Sequence, residues 1–208
     1  MSTSAGTVFV LSGGAVRAAV QAGMLQALAE VGILPDALVG TSAGALNAAY
    51  VAGYPTEEGI RQLGEVWRRL RRRDVFPLDL GDTLQGLMGR QNHFFPPEGM
   101  RDWIARYLTY ERLEESRIPL RVVCADAYTG EEVVLDSGHA VEVVLASVAL
   151  PVAFPPVSVG GRALIDGGVT HNSPLDAAMA MNPSRVFVLP TGSACALGDL
   201  RVSPLEMG

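Results

Sequence analysis

The sequence predicts an α/β fold with adjacent parallel strands, and the pattern of its first 50 residues carries this prediction. Residues 7–12 form a β-branched and aromatic run that ends at a glycine pair, which is typical of a buried strand. A second apolar strand around Val39 and a second helical segment at residues 45–50 follow after short connections. Between the two strands, residues 17–31 predict a helix that Gly32 ends, with an apolar face of Val20, Met24, Leu25, Leu28 and Val31. Strand, helix, strand and helix joined by short loops indicate right-handed crossovers between parallel strands.

The rest of the chain alternates predicted helices and strands in the same way. Thr56 is expected to start a helix, because acidic residues fill its first turn and apolar residues follow at helical spacing. Later helices are predicted at residues 98–110, 141–149 and 175–181, strands at 119–125, 132–135 and 162–165, and a last buried strand at 185–190. Residues 74–97 are rich in proline and glycine and are expected to form a cap or lid, and residues 151–156 a rigid loop. Without a linker or repeat, residues 1–208 are expected to form a single domain.

The composition excludes several classes of function. All 16 cationic residues are arginines, so the chain has neither the lysine of a P-loop nor an amine for Schiff-base catalysis. The net charge of -6 argues against nucleic acid as a partner. Three scattered histidines without metal-ligand spacing give no basis for a metal site.

The cysteines and the N-terminus favour a reducing compartment. Cys124 and Cys195 form no C-x-x-C pair and are too few for a disulfide framework. The first residues lack the positive region of a signal peptide, and no apolar stretch approaches the length of a transmembrane helix. We therefore expect a cytoplasmic location; the sequence indicates no oligomeric state.

The segment Gly40-Thr41-Ser42-Ala43-Gly44 matches the G-x-S-x-G pattern of a nucleophile elbow. An apolar strand precedes it and a strong helix former follows, which is the context that such an elbow requires. Glycines on either side of the serine would let strand and helix approach closely in a sharp turn. Ser42 is therefore the candidate nucleophile.

Two residues are candidates for the base that activates Ser42. Asp166 ends an apolar strand directly before Gly167 and Gly168, where partial burial would raise its pKa toward that of a useful base. An aspartate before glycine is also typical of a simple turn cap. His171 is the alternative, because Ser42, Asp166 and His171 follow the chain order of an α/β-hydrolase triad.

A glycine turn at residues 11–17 is the candidate oxyanion hole. It joins a strand to a helix N-terminus, so backbone N–H groups of Gly13, Gly14 and Ala15 are expected to face a developing negative charge, with Arg17 as an added cation. Ala43, at the start of the helix after Ser42, is a further candidate donor. A dinucleotide site is disfavoured, because the spacing G-x-G-x-x-G is not met.

Four motifs in order resemble the patatin-like phospholipase family of serine acylhydrolases. They are the glycine-rich loop and helix at residues 11–25, the elbow at Gly40–Gly44, the Ala-Ser-x-Ala-x-Pro segment at residues 146–151, and Asp166-Gly167-Gly168. The resemblance extends from about Val8 to Gly192. It implies a three-layer α/β/α sandwich with a mainly parallel central sheet and hydrolysis of acyl esters of lipids. It also implies a Ser42/Asp166 dyad that works through an acyl-enzyme without histidine, metal or organic cofactor.

Two features of the chain modify this expectation. Ala15 and Ala18 stand where the family usually has glycine, and alanine restricts φ and adds a methyl group near the substrate. A narrower oxyanion hole would favour a catalytically weak protein that binds lipid or acyl groups. The arginines of residues 68–73 are expected to complement a helix dipole, or alternatively to contact anionic lipid head groups in a transient membrane-surface contact.

Overall fold

A seven-stranded sheet forms the centre of the computed structural model, which describes residues 6–75 and 95–192. In chain order its strands are β1 (Thr7–Leu11), β2 (Ala37–Thr41), β3 (Leu120–Asp126), β4 (Glu132–Leu135), β5 (Val157–Val159), β6 (Arg162–Asp166) and β7 (Arg185–Leu189). The sheet runs β5-β6-β3-β2-β1-β7, and β4 pairs with β3 outside that path. The pairs among β3, β2, β1 and β7 are parallel, whereas β4 and β6 run antiparallel to β3 and β5 runs antiparallel to β6. The predicted parallel pairing of the first strands is confirmed.

Helices cover both faces of this sheet, so the α/β/α class is confirmed as well. They are α1 (Ala19–Glu30), α2 (Ala43–Gly53), α3 (Glu57–Arg69), the single turn α4 (Arg72–Val75), α5 (Glu98–Tyr107), α6 (Ala140–Ser147) and α7 (Leu175–Met179). Phe9 and Leu11 pack with apolar residues of α1, α2, α3, α5 and α6 on one face, and Val8 and Val10 pack with α7 on the other. Because β1 serves two cores, all of its residues are buried.

Strand β3 brings two distant parts of the chain together end to end. β2 pairs with the first part of β3 and β6 with its last part, while β4 pairs across both parts and so must occupy the opposite edge. On the shared edge, Thr41 of β2 lies opposite Val123, and Asp166 of β6 lies opposite the next residue, Cys124. The C-terminal ends of β2 and β6 therefore meet, although Ser42 and Asp166 are 124 positions apart in the sequence.

The buried face of α1 differs from the predicted one. Val20 and Val31 are 50% and 70% exposed, whereas Gln21 is fully buried together with Ala22, Leu25 and Ala29. Alanine lets the helix approach its neighbours closely, and Gln21 is buried because its amide bonds backbone carbonyls, as described below. Hydrophobic periodicity detects neither effect.

Two other expectations are corrected, and two cannot be compared with the structure. β7 is an edge strand rather than a buried one, and of its residues Leu189 alone is buried. Strand β5, three residues long, follows the predicted rigid loop and was not predicted. Most of the predicted cap at residues 74–97 lies outside the described residues, so a single domain over residues 1–208 stays a prediction. Among the described helices, none is both long and apolar enough to cross a bilayer.

Candidate active site

Ser42 lies at the turn between β2 and α2, as the sequence predicts. Its backbone has φ 55° and ψ −133°, a positive φ that costs a residue other than glycine about 1–3 kcal/mol. A Cβ on Gly44 would lie 2.2 Å from the carbonyl oxygen of Leu11, so the contact between the turn and β1 requires glycine. At Gly40 a Cβ would lie 2.7 Å from the Cα of Ala45, and the strand could not approach the helix as it does. Both glycines of the pattern thus permit the sharp turn that carries the half-buried Ser42.

The side chain of Asp166 accepts a hydrogen bond from Ser42. The distance from Ser42 Oγ to Asp166 Oδ2 is 2.7 Å, and Asp166 is 4% exposed. Its other oxygen, Oδ1, accepts from the backbone N–H of Gly168 at 2.7 Å, which fixes the plane of the carboxyl group. Burial raises the pKa of Asp166 above its ordinary value, and the hydrogen bonds from Ser42 and Gly168 oppose that rise. The arrangement pairs a hydroxyl with a buried carboxylate of increased basicity.

The turn after β6 is closed by glycine for a steric reason. A Cβ on Gly167 would lie 2.3 Å from the carbonyl oxygen of Val123 in β3. The backbone after β6 therefore packs directly against β3, and this keeps Asp166 next to the C-terminal end of β2. Gly168 follows in the same short 3-10 turn and supplies the N–H that Asp166 accepts.

The glycine turn before α1 is tied to the segment that follows Asp166. The N–H of Gly13 donates to the carbonyl of Asn172 at 3.0 Å, and the side-chain amide of Asn172 donates to the carbonyl of Gly13 at 3.2 Å. The Thr191 hydroxyl also donates to the Gly13 carbonyl, and the hydroxyls of Ser12 and Ser173 are 2.6 Å apart. The Gly13 N–H is consequently engaged inside the protein, contrary to the expectation that it faces a substrate.

The N–H groups of Gly14 and Ala15 have no protein acceptor within residues 6–75 and 95–192. Ala15 has φ 50°, a left-handed backbone conformation that favours glycine, and it stands at a position where the resembled family pattern has glycine. Ala18, in contrast, has φ −63° and is fully buried, a conformation that alanine adopts without strain. Of the two departures from the family pattern, only Ala15 affects the backbone.

Arg17 and His171 are both exposed, and neither is a hydrogen-bond partner of Ser42 or Asp166 among the residues that the structure describes. The Arg17 side chain is exposed and does not line the pocket described below. The His171 side chain is 63% exposed, and its Nδ1 lies 3.0 Å from a carboxylate oxygen of Glu132. Both oxygens of Asp166 are engaged by Ser42 and Gly168. The triad alternative is thus not favoured by the geometry.

A pocket of about 430 Å³ opens beside Ser42. Ala15 and Ala43 flank the serine in its wall, and apolar side chains form most of the remainder. The other lining residues are Val16, Leu46, Trp67, Leu70, Arg71, Arg72, Val75, Met100, Trp103, Val148, Leu150, Ala153 and Phe154. A cavity of this size and lining suits an apolar chain. Within the described residues, no cluster of His, Cys, Asp and Glu side chains could hold a metal ion.

A fully buried hydroxyl, which the sequence analysis did not single out, holds the Ser42 turn. Ser147, the last residue of α6, is 0% exposed. Its Oγ accepts from the Ser42 N–H at 2.9 Å and donates to the Val123 carbonyl at 2.6 Å. Ser147 thus connects the turn to β3, the strand that positions Asp166. It belongs to the Ala-Ser-x-Ala-x-Pro segment, and this was the only sequence signal for it.

A second buried group, also not predicted, connects the pocket to the glycine turn. The Gln21 amide donates to the carbonyls of Ser12 at 2.9 Å and Leu189 at 2.7 Å. Gln21 also accepts from the Asn47 amide at 2.8 Å, and Asn47 accepts from the indole N–H of Trp67 at 2.7 Å. The available sequence signal was a glutamine among alanines in a predicted helix. If such a glutamine is buried, its amide group needs hydrogen-bond partners.

Comparison with known proteins identifies a family. The model of the patatin-like phospholipase family matches residues 9–179. Patatin-like phospholipase domain-containing protein 7 of Rattus norvegicus is 30% identical over 186 residues, 88% of this chain and 13% of that protein. An uncharacterised NTE family protein of Mycobacterium tuberculosis is 27% identical over 179 residues, 86% of this chain and 29% of that protein. The chain therefore spans less than a third of the length of these curated relatives.

A solved structure supports the fold. The crystal structure of VipD from Legionella pneumophila aligns with a TM-score of 0.56 and 19% identity, over 88% of this chain and 49% of the VipD chain. At 19% sequence identity, this similarity shows a common fold and no more.

Proposed function

The chain belongs to the patatin-like phospholipase family, and from this premise we propose that it hydrolyses acyl esters of lipids through Ser42 and Asp166. The observation that carries the proposal is the hydrogen bond of 2.7 Å from Ser42 Oγ to Asp166 Oδ2. A serine hydroxyl needs a base within hydrogen-bond distance to act as a nucleophile, and Asp166 meets that requirement. The curated relatives are longer proteins, so their names support a lipid hydrolase for this chain without identifying its substrate.

In the proposed acylation step, Ser42 Oγ attacks the carbonyl carbon of the ester as its proton passes to Asp166. The tetrahedral intermediate then collapses, the alcohol leaves with the proton from Asp166, and Ser42 carries the acyl group. In deacylation, a water molecule gives a proton to Asp166 and attacks the acyl carbon. Release of the carboxylic acid returns the proton to Ser42 Oγ. The ester and water are the only reactants.

The oxyanion of each tetrahedral intermediate is proposed to bind the N–H groups of Gly14 and Ala15, with Ala43 as a further donor. Ala15 and Ala43 line the pocket beside Ser42, and Gly14 and Ala15 lack a protein acceptor in the described part of the chain. Removal of one such donor typically lowers kcat about 10²–10³-fold. Gly13 is left out of the proposal because its N–H is bonded to Asn172.

The apolar pocket is proposed to hold the acyl chain of the substrate. It includes Ser42, and its lining is mostly apolar, with Arg71 and Arg72 as the charged residues among those described. An ester with a long acyl chain should therefore have a lower KM than a short one. A cytoplasmic location also stays a prediction, based on the cysteine pattern.

The proposal is tested with p-nitrophenyl esters of a short and a long acyl chain. We expect Ser42→Ala and Asp166→Asn to lose activity by at least about 10³-fold, and His171→Ala to stay within about twofold of the wild type. Equal loss in His171→Ala and Ser42→Ala would establish the triad instead. A wild type that binds the esters but does not turn them over would make the chain a lipid- or acyl-binding protein.

A further inference from the structure

Exposed apolar side chains lie in the wall of the pocket beside Ser42 or next to it in the chain. Val16 and Leu150 belong to the pocket wall and are 77% and 53% exposed. Val152 is 62% exposed and lies next to Ala153, another lining residue. Large apolar residues that stand together at a pocket mouth typically mark an interaction surface. We call Val16, Leu150, Val152, Arg71 and Arg72 the rim.

The backbone conformation at Val152, which holds this side chain outward, is strained. Val152 has φ 73°, and a β-branched residue rarely adopts a positive φ. Two hydrogen bonds close the turn around it, from the N–H groups of Ala153 and Phe154 to the carbonyl of Leu150, at 3.1 and 2.9 Å. Strain of this kind persists where the surrounding structure enforces it, and often at functional positions. The strained turn displays a hydrophobic side chain to solvent.

The rim also carries positive charge, against the overall charge of the chain. Arg71 and Arg72 line the pocket next to the apolar residues, while the whole chain has a net charge of -6. The neighbouring Arg68 is already paired with Glu65 on α3. The nearest carboxylate along the chain, Asp74, accepts from the backbone N–H of Arg71. Cations beside exposed apolar groups match an anionic bilayer, which attracts arginines to its surface and accepts apolar side chains below it.

We infer that the rim docks on an anionic phospholipid bilayer, so that an acyl chain enters the pocket directly from the lipid. This inference rests on the proposed lipid hydrolase function, because it identifies where that site meets its substrate. A second copy of the chain is a poorer occupant. A symmetric contact would place Arg71 and Arg72 of both copies against each other.

The test measures binding to vesicles directly, without relying on catalysis. The Ser42→Ala protein is sedimented with vesicles of phosphatidylcholine alone or with about a third of phosphatidylglycerol. Binding is expected to be at least about tenfold tighter to the anionic vesicles and to weaken as salt is raised. Arg71→Gln/Arg72→Gln should lower the affinity for anionic vesicles at least about tenfold. Val152→Asn should lower it about fivefold, and asparagine tolerates the positive φ, so folding is preserved.

Two exposed positions provide matched controls. Val31 is 70% exposed at the far end of α1, and Arg117 is exposed and precedes β3, whose middle residues Val123 and Cys124 lie at the site. Val31→Asn and Arg117→Gln should bind within about twofold of the parent protein. In proteins that retain Ser42, the ratio of vesicle to soluble-ester activity should fall in Val152→Asn and stay unchanged in Val31→Asn.

The results separate this inference from the proposed function. Equal binding of Val152→Asn, Arg71→Gln/Arg72→Gln and the controls would overturn the docking surface. So would a dimer that Val152→Asn dissociates, because the rim would then be a contact between copies. Vesicle binding that follows the rim, in a wild type without esterase activity, would support the docking surface and refute the hydrolase.

Discussion

Ser147→Ala tests whether a buried hydroxyl behind the turn determines the position of Ser42. The substitution removes the acceptor of the Ser42 N–H and a donor to the Val123 carbonyl, at a residue that is 0% exposed. A buried group left without a partner costs about 1–3 kcal/mol, and the second lost bond adds about 1 kcal/mol. We therefore expect a loss of about 2–4 kcal/mol in the free energy of unfolding. For a chain of this length, that lowers Tm by about 4–16 °C.

Catalysis should be affected separately from stability in Ser147→Ala. Without the bond to Ser147, the strained backbone at φ 55° can relax and move Ser42 Oγ away from Asp166. We expect kcat on a soluble ester to fall at least about tenfold at 25 °C, where the variant is folded. KM should change less than about twofold, because Ser147 does not line the pocket.

Ser116→Ala is the matched control for this prediction. The Ser116 hydroxyl donates to the Ile118 carbonyl at 2.8 Å and is half-buried, outside the site. The Ser116→Ala substitution should lower the free energy of unfolding by about 1 kcal/mol and leave kcat unchanged. A Ser147→Ala protein with a lowered Tm and a wild-type kcat would refute the positioning role, and an unchanged Tm would refute the energetic reasoning itself.

Two further predictions concern Asp166 and Ala15. Burial raises the pKa of Asp166 above 3.8, so kcat/KM should rise with pH as the carboxylate forms, with a midpoint above that value. Because the ionised form of Asp166 is disfavoured in the folded state, Asp166→Asn should have a higher Tm than the wild type at pH 7. Thermal scans should show this difference disappear below about pH 4, where the wild-type carboxyl is protonated in both states. A lower Tm of Asp166→Asn at pH 7 would contradict this. Ala15→Gly should keep Tm within about 3 °C and raise kcat, because it removes an alanine from a left-handed backbone position. Ala49→Gly inside α2 should instead lower the free energy of unfolding by at least about 1 kcal/mol. Equal losses of Tm in the two glycine variants would refute the strain at residue 15.

Much of the fold could be predicted because its signals are local. The apolar run of β1, the strand and helix around Ser42 and the capped start of α3 each depend on residues adjacent in sequence. The Thr56 hydroxyl accepts from the Gly59 N–H at 3.1 Å, as an N-cap does. The errors arose where tertiary packing determines which residues are buried. Helix α1 buries Gln21 in place of Val20, and β7 is exposed because it is the last strand of the sheet.

The candidate site was predicted as residue types, but not as an arrangement. Ser42 and Asp166 could be proposed because each lies at a strand end, Ser42 between Gly40 and Gly44 and Asp166 directly before a glycine pair. Sequence reasoning left His171 as an alternative base, since chain order alone fits a triad. The structure pairs His171 with Glu132 and engages both oxygens of Asp166 elsewhere. Gly13 was assigned as a donor because a sequence does not show which N–H groups are already bonded.

The sequence by itself determined the types of element, their order and the chemical groups available to the site. Those properties follow from periodicity, from the absence of a side chain in glycine, and from the nucleophile and carboxylate themselves. The tertiary structure decided which groups meet. Ser42 and Asp166 come together because β2 and β6 share one edge of β3, and Ser147 and Gln21 act through hydrogen bonds across helices and strands. Pairing over such distances depends on strand register and close packing, which no local pattern encodes.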